Sequence, residues 1–131
     1  MTNSIGDLAE ADCFLITGSN TTENHPVLSS FVKRAVTRRR AKLIVVDPRL
    51  TRVAARADIW LQLRPGTDTA LAYGMLNVIV NEALYDKEFV AKYVHGWEPF
   101  VRRINEYTPQ KASEITWVPK NKIIDAARLY A

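Results

Sequence analysis

Residues 15–26 read LITGSNTTENHP, and this stretch decides how the chain is interpreted. An uninterrupted run from Cys13 to Thr17 has the length and apolar character of a parallel strand covered on both faces. A glycine-led polar loop follows, and Pro26 then opens a helix, since proline needs no N–H partner at a first helical position. Backbone N–H groups and the positive end of a helix would therefore meet at the carboxyl edge of a sheet, which is typical of a site for an anion such as a nucleotide pyrophosphate.

Composition limits the class of protein. A chain of 131 residues fits one domain with a normal core. Its 47% hydrophobic and 24% charged residues exclude a disordered or fibrous protein. The 18 basic and 14 acidic residues give a net charge of +4, which suits an anionic ligand but is also common on surfaces of no special function.

Cysteine usage and hydropathy exclude further classes. Cys13 is the single cysteine, so the chain has neither an internal disulfide nor a Cys-rich metal or iron–sulfur site. No apolar run approaches the ~18 residues of a membrane span, and we expect no signal peptide. We expect a soluble domain in the cytoplasm, with the periplasm left open.

Two further apolar runs, residues 43–46 and 59–63, predict a second and a third strand. Three strands that alternate with helical segments predict an α/β fold: a three-layer, Rossmann-like parallel sheet flanked by helices, in a single domain over residues 1–131. The second half is predicted to be helical, with Asp86 as an N-cap and a break at Thr108 and Pro109. The predicted helices there cover residues 69–82, 86–94, 97–107 and 119–130.

The first strand ends in a loop with ligand-binding character, since ligands of open α/β sheets bind beyond the carboxyl ends of the strands. Gly18 permits close backbone approach, and the four residues that follow offer uncharged hydrogen-bonding groups: Ser19, Asn20, Thr21 and Thr22. The loop lacks the G-x-G-x-x-G pattern of ordinary NAD-binding proteins. The alternative is a plain turn in which Asn20 or Thr22 caps the helix.

The second and third strands end in comparable loops. Asp47 could accept hydrogen bonds from a ribose or a base, and Arg49 could contact phosphate; alternatively, the two form a local surface pair. In the third loop, Gly66 could bring the backbone close to a ligand. Asp68 could accept hydrogen bonds from the N1–H and 2-amino edge of guanine, or could simply cap the following helix.

Catalytic residues are not predicted. His25 stands alone at a helix start, without a nucleophile or an acidic orienting group nearby, and the chain offers no nucleophile–base set and no metal-ligand set. The run at residues 38–40, three arginines, is interpreted as complementing a helix C-terminus. A nucleic-acid patch is the alternative, although no aromatic residues interleave with these arginines.

With these loops identified, the chain resembles an internal domain of the catalytic (alpha) subunit of formate dehydrogenases, in the molybdopterin oxidoreductase family. The match runs in order along nearly all of the chain. Its motifs are TNS at 2–4, GSNTTENHP at 18–26, AKLIVVDPR at 41–49, RPGTD at 64–68, LYDKEFV at 84–90 and YTP at 107–109.

The resemblance implies a cofactor. The domain would hold one of the two pterins of a bis-molybdopterin guanine dinucleotide (bis-MGD) that carries molybdenum or tungsten. The implied contact residues fall in the three loops already identified from the strand ends. They are Gly18, Ser19, Asn20, Glu23 and His25 in the first loop, Asp47 and Arg49 in the second, and Gly66 and Asp68 in the third.

The resemblance also implies that this chain is a fragment of a larger subunit. The family's iron–sulfur cysteines, its metal-ligating cysteine or selenocysteine and its catalytic histidine have no counterpart here. The full enzyme would convert formate to carbon dioxide and two electrons, and this segment would be inactive alone. Its partners would be the remaining domains of the catalytic subunit and iron–sulfur or electron-transfer subunits, with no nucleic acid. A stand-alone nucleotide- or RNA-binding module remains the alternative.

Overall fold

The computed structural model describes residues 3–131, which form two compact units, residues 3–62 and 63–129. Met1 and Thr2, the latter part of the first matching motif, lie outside the described residues. The single domain over residues 1–131 stays a prediction, and the two units are described separately below.

The first unit is built on a parallel sheet with the strand order β1-β2-β3. These strands are Cys13–Thr17 (β1), Lys42–Val46 (β2) and Ile59–Leu61 (β3). Both pairings are parallel. Helices flank this sheet, so the predicted α/β class is confirmed. Strand β3 is shorter than predicted because Gln62 leaves the ladder and its side-chain amide donates to the Pro48 carbonyl at 3.0 Å.

Burial of β2 explains its continuous apolar sequence. Ile44 and Val45 point to opposite faces of the sheet, and both are fully buried. A strand covered on both faces needs apolar residues at every position, not at alternate ones. On one face, the core of this unit consists of Phe14, Ile16, Val32, Ala35, Ala41, Leu43, Val45, Val53 and Ala54.

Helices and turns complete the first unit. A short α1, Thr21–Asn24, precedes α2, Pro26–Arg34, which packs against the 3-10 helix Ile5–Ala9. Helix α2 continues into a π-helical turn, Ala35–Arg39. A second 3-10 helix, Ala54–Arg56, lies between β2 and β3.

Arg39 ties the end of the π-helical turn back to the start of the unit. Its guanidinium donates to the Ala9 carbonyl and, at 3.0 Å, to the Asp12 carboxylate. One of the three consecutive arginines is therefore engaged within the protein. This contact supports a structural role for the run over a nucleic-acid patch.

Asp58 makes the stability of the first unit sensitive to acid. Its carboxylate accepts hydrogen bonds from the Leu43 N–H at 2.9 Å and the Lys42 ammonium at 3.2 Å. Burial acts to raise the pKa, but these hydrogen bonds and the Lys42 charge together hold the pKa of Asp58 below its ordinary 3.8. Because the pKa is lower in the folded state, the ionised carboxylate stabilises the fold above its unfolded-state pKa, and this contribution is lost as the pH falls through the folded-state pKa.

We therefore expect wild type to lose more stability than Asp58→Asn between about pH 6 and about pH 3. Urea unfolding at a series of pH values measures the difference. Parallel pH profiles for the two proteins would contradict the assignment.

The second unit is helical. It contains α3 (Asp68–Asn81), α4 (Lys87–Tyr93), α5 (Trp97–Asn105), α6 (Pro109–Thr116) and α7 (Lys120–Tyr130). Asp86 caps α4, as predicted, by accepting the Phe89 N–H at 2.9 Å. Within residues 3–131, no helix has both the length and the apolar character needed to cross a membrane.

Helix α6 goes beyond the predicted elements. Thr108 and Pro109 do end the preceding helical pattern, but they also begin a new helix. The Thr108 hydroxyl accepts the Lys111 N–H at 3.3 Å, and Pro109 occupies the first turn. The buried positions of α6 are the small residues Ala112 and Thr116, so the apolar period is too weak to reveal the helix from the sequence.

Candidate functional site

The first loop turns away from the sheet at Gly18. This residue has φ 59°, a conformation that favours glycine, and its N–H donates to the Val46 carbonyl at 3.0 Å. A Cβ built there would meet nothing within 4 Å. The outer side of the loop is therefore open where the strand ends, so a ligand can approach the backbone closely.

The alternative in which Asn20 or Thr22 caps a helix is wrong. Thr22 lies inside α1 and so does not precede it. Asn20 does precede α1, but its side chain makes no capping hydrogen bond to a described residue. Helix α2 begins directly after His25, whose carbonyl accepts the Ser29 N–H at 2.9 Å. The polar side chains of the loop are therefore not explained by the helix starts.

Three polar atoms of this loop are buried without a partner. They are Asn20 Oδ1, Thr21 Oγ1 and Thr22 Oγ1. None of the three has a hydrogen-bond partner within residues 3–131. An unsatisfied buried polar group costs about 1–3 kcal/mol. A ligand with hydrogen-bonding groups at these positions would remove this cost, so the loop is suited to a polar ligand.

Asp47 follows β2 and is only 4% exposed. Its Oδ1 accepts the Arg49 N–H at 2.8 Å, and its backbone carbonyl accepts the Trp60 indole N–H at 2.9 Å. The Arg49 side chain is 76% exposed, with its Nε 3.9 Å from Asp47 Oδ1. The local Asp–Arg pair of the alternative is therefore present, at the long end of an ion pair. The carboxylate is nevertheless buried and held by backbone, while most of the guanidinium is exposed.

The first two loops adjoin at the same edge of the sheet. Thr17 pairs with Val46 in the parallel ladder, so the residues that follow, Gly18 and Asp47, leave neighbouring strands together. Ser19 is half-buried in this loop, whereas Glu23 and His25 are exposed. The structure thus brings the predicted residues of loops one and two into one region.

The third loop belongs to the second unit. Gly66 has φ 80°, and Thr67 closes the turn by donating its hydroxyl to the Arg64 carbonyl at 2.6 Å. Thr67 occupies the N-cap position of α3, and Asp68 is the first helical residue, with its side chain exposed. The alternative in which Asp68 caps the helix is therefore wrong, while the roles of Gly66 and Asp68 in ligand binding stay predictions.

Sequence reasoning missed the special position of Thr21 and Thr22. Both were recognised as hydrogen-bonding residues, but two adjacent threonines give no signal that their hydroxyls are buried. Thr21 is 6% exposed because the four-residue helix α1 turns it inward. Only the folded loop distinguishes them from ordinary surface threonines.

The comparisons with known proteins agree with the motifs. A family model described as molybdopterin oxidoreductase matches residues 1–128. The alpha subunit of an F420-dependent formate dehydrogenase from Methanocaldococcus jannaschii is 48% identical over 99% of this chain, which covers 19% of that protein. Formate dehydrogenase H from Escherichia coli is 38% identical over the whole chain, covering 18% of that protein.

A solved structure shows the same fold. Acetylene hydratase from Pelobacter acetylenicus superposes with a TM-score of 0.87 at 47% identity, over 92% of this chain and 16% of that one. The chain thus spans about a fifth of the length of the curated relatives it matches. A family match over nearly every residue, relatives up to 48% identical and a shared fold lead to one conclusion. The chain belongs to the molybdopterin oxidoreductase family.

Proposed function

We propose that this chain is the domain that binds the guanine dinucleotide part of one pterin of a bis-MGD cofactor, in a formate dehydrogenase-like enzyme. The observation that carries the proposal is a pair of buried, unpartnered atoms in the first loop, Asn20 Oδ1 and Thr21 Oγ1, at the sheet edge where buried Asp47 also follows its strand. Membership of the family implies a molybdopterin cofactor. The guanine dinucleotide form is the part that we propose.

The residues of the first two loops fit such a group. The open side of Gly18 would let a diphosphate lie against the backbone. The Asn20 amide and the Thr21 hydroxyl would hydrogen-bond to polar groups of the nucleotide. The Asp47 carboxylate would accept hydrogen bonds from ribose hydroxyls or the base, and the exposed Arg49 guanidinium would swing onto phosphate.

Binding and positioning would be the whole contribution of this segment. In the full enzyme, the cofactor would supply the molybdenum or tungsten centre at which formate gives up two electrons to yield carbon dioxide and a proton. The loops would hold the nucleotide end of that cofactor and keep it in a fixed orientation. Residues for the metal and for proton transfer would come from the remaining domains of the subunit, and iron–sulfur or electron-transfer subunits would complete the enzyme in the cytoplasm.

The names of the relatives support a binding role over a catalytic one. Proteins named as formate dehydrogenases and a protein named acetylene hydratase match this chain at 48% and 47% identity. A domain shared by proteins with such different names is best explained by a shared cofactor. The substrate would then be determined elsewhere in each enzyme.

Isothermal titration of the 131-residue chain with GDP tests the proposal. We expect saturable binding that Asn20→Ala weakens about tenfold, the value of roughly one hydrogen bond at 1.4 kcal/mol. The unfolding midpoint should not fall, because Asn20 Oδ1 has no partner within residues 3–131.

Asn121→Ala is the matched control, since Asn121 is exposed on α7. The proposal fails if GDP does not bind, or if both variants bind it equally well. RNA binding that falls steeply with salt, without GDP binding, would instead favour a stand-alone RNA-binding module.

A further inference from the structure

The first unit has a second concave surface, formed by helices α1 and α2 and the 3-10 helix Ala54–Arg56. It is a cleft of about 390 Å³. Its lining residues are Thr22, Lys33, Arg52, Ala55 and Arg56. None of these is among the residues predicted to contact the cofactor, so we name this surface the basic cleft.

The basic cleft concentrates positive charge. Lys33, Arg52 and Arg56 are all exposed, and no acidic residue lines the cleft. None of the three forms an ion pair with another described residue. Unpaired like charges in one concavity repel each other and focus a positive potential, so the cleft attracts anions.

A small apolar recess adjoins the cleft. It has a volume of about 50 Å³ and shares Thr22 and all three cations with the cleft. Its apolar lining comes from Val32, Val36, Leu43 and Val53. A concave site with an apolar floor and a charged rim is typical of a small-molecule site, whereas a flat basic surface would be typical of nucleic acid.

Thr22 provides an observation independent of charge. Its hydroxyl oxygen is buried and has no hydrogen-bond partner among the described residues, although Thr22 lines both the cleft and the recess. A hydroxyl group can donate to an anionic oxygen, and arginine forks match the geometry of phosphate oxygens. The residues that line the basic cleft therefore complement a phosphoryl group.

We propose that the basic cleft binds the phosphoryl group of a small molecule, a phosphate or diphosphate anion, separately from the cofactor loops. Arg52 and Arg56 would hold its oxygens bidentately. Lys33 would add a point charge, and the Thr22 hydroxyl would complete the contacts from the floor of the cleft.

Titration of the 131-residue chain with inorganic pyrophosphate, and in parallel with inorganic phosphate, tests this site. We expect Arg52→Ala combined with Arg56→Ala to weaken pyrophosphate binding tenfold or more, because the variant loses two charged groups that donate to phosphate oxygens. The matched control combines Arg102→Ala with Lys120→Ala, which removes the same charge from exposed positions outside the cleft. If the control keeps its affinity for pyrophosphate while the double variant loses it, binding depends on the cleft and not on the overall positive charge of the chain.

Thr22→Val provides a second, nearly isosteric variant. We expect weaker pyrophosphate binding without a loss of folding stability, because the hydroxyl has no partner to lose among the described residues. The proposal is overturned if pyrophosphate does not bind, or if the control and the double variant lose affinity equally. It is also overturned if Asn20→Ala weakens pyrophosphate binding and the double variant Arg52→Ala with Arg56→Ala does not. GDP binding by the same double variant, measured in parallel, tests the cofactor loops and therefore distinguishes a failure of the basic cleft from a failure of the proposed function.

Discussion

Asp47→Asn is expected to weaken GDP binding about tenfold to a hundredfold while the fold is retained. The substitution keeps the side-chain volume, and Oδ1 of asparagine can still accept the Arg49 N–H that Asp47 accepts at 2.8 Å. It removes the negative charge and replaces one acceptor with a donor. Ribose hydroxyls, which donate to both oxygens of a carboxylate, would then lose a partner. Isothermal titration measures the affinity, and urea unfolding measures the stability.

Asp125→Asn serves as the control, because Asp125 is exposed on α7 and lies in the second unit. It removes the same charge at a position that belongs to neither loop of the first unit. If Asp47→Asn binds GDP as well as Asp125→Asn does, Asp47 is a structural residue that organises its own turn and has no part in nucleotide binding.

Gly74→Ala is expected to destabilise the second unit by about 1–3 kcal/mol, the usual cost of overpacking a core. In most helices this substitution would stabilise by roughly 0.5–1 kcal/mol. Here a Cβ at position 74 would lie 2.5 Å from the Ala112 Cβ, because α3 and α6 cross at this glycine. Both residues are buried, so the helices have to separate or shift. Denaturant unfolding gives the change in free energy.

Two variants sharpen this prediction. Ala112→Gly should restore part of the stability when it is combined with Gly74→Ala, since it removes the opposing methyl group. Gly6→Ala is the matched control, because a Cβ there would meet only Ser4 Oγ at 3.4 Å. A Gly74→Ala protein as stable as the Gly6→Ala protein would show that the α3–α6 crossing has room for the methyl group.

Local signals located all three strands, although β3 ends two residues earlier than predicted. The apolar run from Cys13 to Thr17 has the observed bounds of β1, although only Phe14 and Ile16 on one face are fully buried, while Cys13 and Leu15 on the other are half-buried. Positions next to strand ends follow from the same logic, which is why Asp47 and Gly18 were found. In a parallel sheet the carboxyl ends lie together, so the order of elements alone brings these two loops to one edge.

Features that depend on tertiary packing were not accessible from the sequence. The cations of the basic cleft come from α2 and from the segment around a 3-10 helix, about twenty positions apart, and nothing in their spacing shows that they line one cavity. From the sequence, Gly74 is an ordinary glycine that lowers helix stability. Only the structure shows that Ala112 packs against it and leaves no room for a Cβ. The burial of the Thr21 and Thr22 hydroxyl groups likewise depends on the folded conformation around α1.

The most direct measurement of the central claim is an amide nitrogen–proton NMR titration of the isotopically labelled chain with GDP. If the first two loops bind the nucleotide, the amide signals of residues 18–25 and 47–49 shift progressively to saturation, and those of the exposed face of α7 do not. Shifts that avoid both loops, or that never saturate, would contradict the assignment of this sheet edge as the nucleotide-binding part of a molybdopterin cofactor site.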